Sequence, residues 1–140
     1  MTTSNLVPAS AKPSAATASA TATAGEILVR FANSIDTQDW EALGALLEPE
    51  FEATYVHTGE TFDRDGFVAL NRDYPGSWRF EHQQVVDGGD VGALRARVSD
   101  ATGESDEVHH VATFARVRGG LVTELTEVWA EVSTPDPSRR

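Results

Sequence analysis

In the first periodic segment of this chain, the hydrophobic and polar positions repeat with the period of an α-helix. Charged and other polar side chains lie opposite an apolar stripe made of Ile27, Leu28, Phe31 and Ile35. That spacing predicts a helix over residues 25–35, because positions three and four apart share one helix face. The turn that follows is rich in residues that cap helices, so a second helix is expected directly after it.

Two further helices are predicted before the chain changes its period. The second has a stripe made of Trp40, Leu43, Leu46 and Leu47. It ends at Pro49, because proline disfavours helical backbone at the residue before it. The third begins after Asp63, a typical N-cap residue, and buries Phe67 and Leu70 before Pro75 ends it.

The remaining periodic segments alternate with period two, which predicts β-strands. A short strand between the second and third helices carries Phe51, Ala53, Tyr55 and His57 on one face. Four longer β segments follow the third helix, over residues 78–86, 91–98, 108–117 and 121–132. This element order predicts an α+β domain in which helices back a strongly curved sheet that encloses a pocket.

The first long hairpin has two possible registers. A two-residue Gly88-Gly89 loop would pair Phe80 with Arg97. A three-residue loop pairs Trp78 with Val98, Phe80 with Ala96 and His82 with Leu94, and it sets Glu81 opposite Arg95. We favour the three-residue loop, since it gathers the apolar residues on one face, and a one-residue slip would exchange the two faces.

The second long hairpin closes at Gly119-Gly120, a strong signal for a tight turn. Counting from Arg118 opposite Leu121 pairs His110 with Trp129, Ala112 with Glu127 and Phe114 with Leu125. The other face pairs Val111 with Val128 and Val117 with Val122. Both faces are partly apolar, so we expect helices to cover one face and a second copy of the chain, in a homodimer, to cover the other.

Composition excludes several classes of protein. The formal net charge is −11 and no basic stripe interrupts the acidic surface, so nucleic-acid binding is not expected. No segment is apolar enough to cross a membrane, and no secretory signal is present at the N-terminus. The chain has no cysteine, which excludes disulfides and thiolate chemistry, and the cytoplasm is its expected location.

Composition also divides the chain. Residues 1–24 are rich in Ala, Ser and Thr, with Lys12 as the only charged side chain, and are predicted to be a disordered tail. Residues 25–132 form the predicted domain. Residues 133–140 contain Pro135 and Pro137 and are predicted to be a flexible C-terminal tail.

Several short motifs, in this order and spacing, resemble the SnoaL-like branch of the nuclear-transport-factor-2-like superfamily over roughly residues 25–132. They are Asp39-Trp40-Glu41-Ala42-Leu43, Tyr74-Pro75-Gly76-Ser77-Trp78, Val117-Arg118-Gly119-Gly120-Leu121-Val122 and Leu125-Thr126-Glu127-Val128-Trp129. The resemblance implies a cone-shaped, curved antiparallel β-sheet wrapped around about three N-terminal helices, with a pocket at the wide end. It also implies functions such as polyketide cyclase, ketosteroid isomerase, epoxide hydrolase or dehydratase. Fold alone does not choose among them.

His110 and Glu127 are the first candidates for chemistry, because the predicted register makes them diagonal neighbours on one face. A carboxylate beside an imidazole fixes its tautomer and suits it to general acid–base catalysis. The alternatives are a structural His–Glu pair that closes the sheet, or a glutamate at a dimer contact. Tyr55 is the third candidate, as a donor to a developing oxyanion, or else simply a core tyrosine. It departs from the carboxylic acid that superfamily isomerases place near this position.

Five further residues are candidates for contacting a substrate, chiefly as walls of the pocket. They are His57, Trp78, His82, Phe114 and Trp129. Neither a metal nor a cofactor is expected, since His109 and His110 are adjacent on a strand and point to opposite faces. The sequence thus predicts a pocket for a small apolar or polyketide-like molecule, used by a cofactor-independent cyclase, isomerase or dehydratase. The alternative is a non-catalytic binding or accessory protein.

Overall fold

A computed structural model describes residues 22–139, so the tail predicted for residues 1–24 lies almost wholly outside the described residues. Helix α1 spans Ala24–Asp36, α2 spans Trp40–Ala45 and α3 spans Arg64–Asp73. Thr23 caps α1 through a reciprocal pair of hydrogen bonds with Glu26. Asp63 caps α3 as the sequence predicted, accepting a hydrogen bond from the Gly66 amide at 2.7 Å. None of the helices within the described range is long and apolar enough to span a membrane.

Six strands form one curved, open sheet, which confirms the helix-backed α+β fold that the element order predicted and the cone that the resemblance implied. They are β1 (Leu47–Tyr55), β2 (Thr61–Asp63), β3 (Trp78–Asp87), β4 (Val91–Asp100), β5 (Val108–Arg118) and β6 (Leu121–Glu131). Their order across the sheet is β2-β1-β6-β5-β4-β3, and neighbours are antiparallel except for β1 and β6. That parallel pair places Tyr55 directly beside Glu127.

Two element boundaries differ from the prediction. Helix α2 ends at Ala45, and Leu47 already begins β1, where it pairs with Val122 of β6. Leu47 is buried whether it ends a helix or begins a strand, so the apolar pattern alone does not distinguish these two possibilities. The short strand β2 was not predicted, because three residues are too few to show a period. Beyond β6 the chain has no regular structure until the short 3₁₀ helix Pro137–Arg139.

Aromatic side chains fill the space between the helices and the concave face of the sheet. Phe31 of α1 lies 6.1 Å from Phe67 of α3 and 6.4 Å from Phe80 of β3, measured between ring centroids. Phe67 also contacts Phe51 of β1 at 5.6 Å. These rings are at least 95% buried, and they join the helices to both ends of the sheet.

The first hairpin differs from both predicted registers. Phe80 pairs with Val98 and His82 with Ala96, while Val85 pairs with Leu94 beyond a bulge at Gln83. The shift from the favoured register is two residues, so the predicted faces are unchanged even though the predicted partners are wrong. Glu81 therefore lies opposite Arg97 rather than Arg95, and it forms an ion pair with Arg97 at 3.7 Å.

The second hairpin contains a bulge that changes the faces. Next to the turn, Arg118 pairs with Leu121 and Val117 with Val122, as predicted. A β-bulge at Thr123 then shifts the register, so that Thr113, not Ala112, lies opposite Glu127. The predicted pairing of His110 with Trp129 is wrong: Trp129 pairs with Val111, and His110 pairs with Ala130. Val111 is consequently in the core, 1% exposed, and not on the outer face with Val128.

Asp36, the last residue of α1, attaches that helix to the free edge of β3. Its carboxylate accepts hydrogen bonds from the Phe80 amide at 2.8 Å and from the Arg79 guanidinium at 3.1 Å. The Phe80 amide is part-buried and has no strand on that side, since β3 is the last strand of the sheet. The carboxylate thus satisfies a donor that would otherwise be left without a partner.

We predict that Asp36→Ala lowers the free energy of unfolding by about 1–3 kcal/mol, because it leaves the Phe80 amide unpaired. Chemical denaturation measures the change. Asp65→Ala is the matched control, since the Asp65 side chain is 93% exposed and forms an ion pair of 3.6 Å with its neighbour Arg64. Equal stability of the two variants would contradict this role for Asp36.

Candidate functional site

A cavity of about 480 Å³ lies between the helices and the wide end of the sheet. Apolar side chains form its floor: Ile35 of α1, Leu70 of α3, and Phe80 and Val98 of the first hairpin. Trp40, at the start of α2, closes one side. A concave, mostly apolar space of this size fits a small organic molecule.

A continuous series of rings, which we call the aromatic arc, forms much of the remaining wall. In spatial order its members are His57, Tyr55, Trp129, His109, Trp78 and Tyr74. Successive ring centroids are 5.4–6.4 Å apart. From Tyr55 to Tyr74 neighbouring rings meet at angles of 53–70°. The arc crosses the sheet from β1 to β3, so it depends on the strand order β1-β6-β5-β4-β3.

Glu127 lies behind this wall, 2% exposed, in a network of donors. The Trp129 indole N–H donates to its Oε1 at 3.0 Å, and the Thr113 hydroxyl donates to its Oε2 at 3.0 Å. The hydroxyl of Tyr55, the neighbour of Glu127 in β1, interacts with the same carboxyl. Glu127 therefore does not line the cavity itself. It contacts Trp129 and Tyr55, which do.

Burial raises the pKa of the Glu127 carboxyl to about 7, against the opposing effect of the hydrogen bonds from Trp129, Thr113 and Tyr55. Burial also raises the pKa of the Tyr55 hydroxyl, and negative charge on Glu127 raises it further. Tyr55 consequently keeps its proton at physiological pH and serves as a hydrogen-bond donor. Glu127 changes charge near neutrality, directly behind the ring of Trp129.

His109 is the titratable ring at the centre of the aromatic arc. Its Nε2 lies 2.5 Å from Oε2 of Glu107. Because an ionised carboxylate only accepts hydrogen bonds, this contact places a proton on Nε2 and leaves Nδ1 as the basic nitrogen. Glu131 lies close to this pair. One carboxylate oxygen from each of Glu107 and Glu131 and one ring nitrogen of His109 all lie within 4.8 Å of one another.

The structure separates three predicted site residues from the cavity. His110 lies on the outer face of β5, opposite Ala130, so it is not the partner of Glu127. The Thr123 bulge is the physical reason, since it exchanges the faces of β5 relative to β6. Phe114 lies on that same outer face, 49% exposed. His82 is exposed on β3, next to the Gln83 bulge, and does not line the cavity.

The structure brings together four other predicted residues, and it adds some that the sequence analysis missed. Tyr55, His57, Trp78 and Trp129 all line the cavity. The missed residues are His109, Glu107, Thr113, Tyr74 and Trp40. The sequence does contain a signal that would have placed His109, and not His110, in the cavity wall. Val122 and Leu125 of β6 are both apolar but lie three positions apart. Uninterrupted alternation places such residues on opposite faces, so a bulge between them was indicated.

The comparisons with known proteins agree with this fold. Residues 28–125 match the family model described as the SnoaL-like domain, and the chain belongs to that family, within the nuclear-transport-factor-2-like superfamily. No match was found among curated proteins.

Solved structures show the same architecture. A candidate ketosteroid isomerase from Kribbella flavida is 24% identical, with a TM-score of 0.74 and 84% of each chain covered. A Catenulispora acidiphila protein described in complex with trimethylamine is 18% identical, with a TM-score of 0.63 and coverage of 75% of this chain and 85% of that one. IdmH, a candidate polyketide cyclase from Streptomyces antibioticus, is 19% identical, with a TM-score of 0.62 and coverage of 74% and 89%. At these identities the likeness concerns the fold.

The raised pKa of Glu127 predicts a specific pH dependence of stability. The unfolded chain loses this proton near pH 4.5 and the folded chain near pH 7, so between these values the folded state binds more protons. Stability contributed by the protonated carboxyl is therefore lost as the pH rises through this window. Relative to Glu127→Gln, the wild-type free energy of unfolding should fall by on the order of 2–4 kcal/mol between pH 4.5 and 8.

Urea denaturation at several pH values measures this difference. Glu124→Gln is the control, because Glu124 is an exposed glutamate of the same strand. Its difference from wild type should stay nearly constant over the same range. A Glu127→Gln curve that runs parallel to wild type would show that the buried carboxyl does not titrate as described.

Proposed function

We propose that the chain is a cofactor-independent enzyme that uses general acid–base catalysis on a small, largely apolar molecule held in the cavity. The observation that carries the proposal is the His109–Glu107 hydrogen bond, because it supplies an oriented base in the wall of an apolar cavity. Imidazole is the side chain best suited to proton transfer near neutral pH. The SnoaL-like family membership supports a small-molecule pocket.

In this proposal His109 removes or returns the proton through Nδ1, and Glu107 positions the ring without touching the substrate. The raised pKa of Tyr55 keeps its hydroxyl protonated. When substrate is bound, this one O–H turns from the Glu127 carboxyl to donate a hydrogen bond to the substrate oxygen that gains negative charge. The apolar floor excludes water and so strengthens these interactions. The roles follow the chemistry expected from the sequence, with His109 and Glu107 in place of His110 and Glu127.

A second candidate is a binding or accessory protein without catalysis. One observation favours it: Glu127, whose pKa is raised to about 7, lies behind the wall and already has hydrogen-bond donors from Trp129 and Thr113. In that case Tyr55 and Trp129 are recognition groups, and the carboxyl holds them in place. The complex described for a structure of the same fold, with trimethylamine, supports small-molecule binding in either case.

Exchange of hydrogen for deuterium distinguishes the two candidates without knowledge of the natural substrate. We predict that the protein accelerates exchange at the acidic CH₂ of 2-tetralone in D₂O, measured by proton NMR. His109→Asn should reduce the acceleration by about 10²-fold or more, as expected for loss of a general base. His110→Asn is the matched control, since its ring lies on the other face of the same strand and should leave the rate unchanged.

Saturable binding of 2-tetralone with no exchange above background would favour the binding protein. Equal loss of exchange in both histidine variants would contradict the assignment of the base to His109.

The proposal includes a homodimer formed through the outer face of the sheet. Phe114 and Val128 are 49% and 41% exposed on adjacent strands of that face, and a second copy would cover both. The ligand is a small molecule, neither nucleic acid nor membrane is a partner, and the cytoplasm remains the location expected from the sequence.

We predict that wild type sediments as a dimer at micromolar concentration, and that the double variant Phe114→Glu and Val128→Glu sediments as a folded monomer. Two buried like charges at the contact would oppose association. Analytical ultracentrifugation and circular dichroism measure assembly and folding separately. A monomeric wild type, or a double variant that stays dimeric, would contradict an interface on this face.

A further inference from the structure

We infer that the cavity takes a small organic ammonium ion, an alkylated amine with an apolar body, in preference to a neutral molecule of the same shape. The inference rests on the proposed function only in requiring that the cavity binds a small molecule. It does not require catalysis.

The first argument is the arrangement of the aromatic arc. Trp78 and His109 meet at 70°, as do His109 and Trp129, and all of these rings border one cavity. Trp78, Trp129, Tyr55 and Tyr74 all border this one space, so a ligand in it lies close to several aromatic rings at once. The negative faces of indole and phenol rings attract cations, and tryptophan does so most strongly. Several rings around one space form the kind of cage that recognises alkylated ammonium groups.

The second argument is the hydrogen bond behind Trp129. The indole N–H donates to the Glu127 carboxyl at 3.0 Å. When this carboxyl is ionised, it polarises the indole and makes the ring face a better acceptor for a cation. The buried negative charge itself also attracts a cation across the ring, in surroundings where water screens it little.

The third argument is the charge around the cavity. Glu131 lines it, and Glu107 lies beside Glu131 and His109, so two carboxylates meet at one place. Arg72 is the one arginine in the wall among the described residues, and Asp73 already binds its guanidinium by two hydrogen bonds of 2.9 and 3.0 Å. Glu107 accepts the hydrogen bond from His109, but no lysine or free arginine of the described wall balances the charges of the two carboxylates. A cationic ligand would supply the missing charge.

The floor of the cavity completes the description of the ligand. Ile35, Leu70, Phe80 and Val98 offer only apolar surface. A bare ammonium or a hydrated metal ion would leave this surface without contact. An ammonium group attached to an aromatic or branched alkyl body would use both parts of the cavity at once.

Two isosteric probes test the inference directly. Phenyltrimethylammonium and tert-butylbenzene have the same shape and differ in charge. We expect the wild-type protein to bind the cation with a dissociation constant on the order of tenfold or more below that of the neutral probe. Ligand-observed NMR titration at pH 8.5, where Glu127 is charged, gives both constants, and it is done with and without EDTA, which removes metal ions.

A pair of variants locates the effect. Glu131→Gln should weaken the cation several-fold and leave tert-butylbenzene unchanged. Glu104→Gln, at an exposed glutamate in the turn before β5, should change neither. Equal or tighter binding of the neutral probe overturns the ammonium preference and leaves the pocket itself intact. Binding of neither probe removes both the inference and the proposed small-molecule pocket, and cation binding that EDTA abolishes would overturn the inference in favour of a metal.

Discussion

The site depends on the strict alternation of side chains between the two faces of the sheet. One bulge at Thr123 determines which side chains of β5 share a face with those of β6. Without the bulge, Val122 and Leu125 of β6 could not both face the core. With it, the concave side receives Thr113 and His109 from β5, opposite Glu127 and Glu131 of β6. One extra residue thus selects which of two adjacent histidines faces the cavity, and it places a threonine hydroxyl within hydrogen-bond distance of the buried glutamate.

The buried carboxyl then joins three strands into one unit. Glu127 of β6 accepts hydrogen bonds from Thr113 of β5 and from Trp129 of its own strand, and it lies beside Tyr55 of β1. A fully buried carboxyl is costly, and these donors reduce the cost without removing it, which is why its pKa stays above the usual value. What the molecule gains is a fixed orientation for two rings of the cavity wall. Stability is given up here for the geometry of the cavity wall.

The fold was largely predictable from the sequence, and the site was predictable only in part. Helical and two-residue periods extend over many positions, so the three helices and the four long strands were found. Tyr55 and Trp78 were found because each lies on the predicted inward face of its strand. Trp129 was found because it shares a face with Glu127, two positions before it and on the same side of the bulge. His57 lines the cavity from the turn after β1 and not from the strand that was predicted for it. His110 and Phe114 were placed on the wrong face because their register was counted from the turn, and a bulge beyond the turn shifts every later pair by one residue. Glu107 could not be found, since its role depends on which face its neighbour His109 occupies.

The central claim is that His109, and not His110, belongs to the aromatic wall. Nuclear Overhauser effects from selectively labelled histidine rings test it most directly, with His109→Asn and His110→Asn used to assign the signals. The account predicts contacts from the His109 ring to the indole protons of both Trp78 and Trp129, whose centroids lie 6.1 and 6.4 Å away. Contacts from the His110 ring to Trp129 would contradict it.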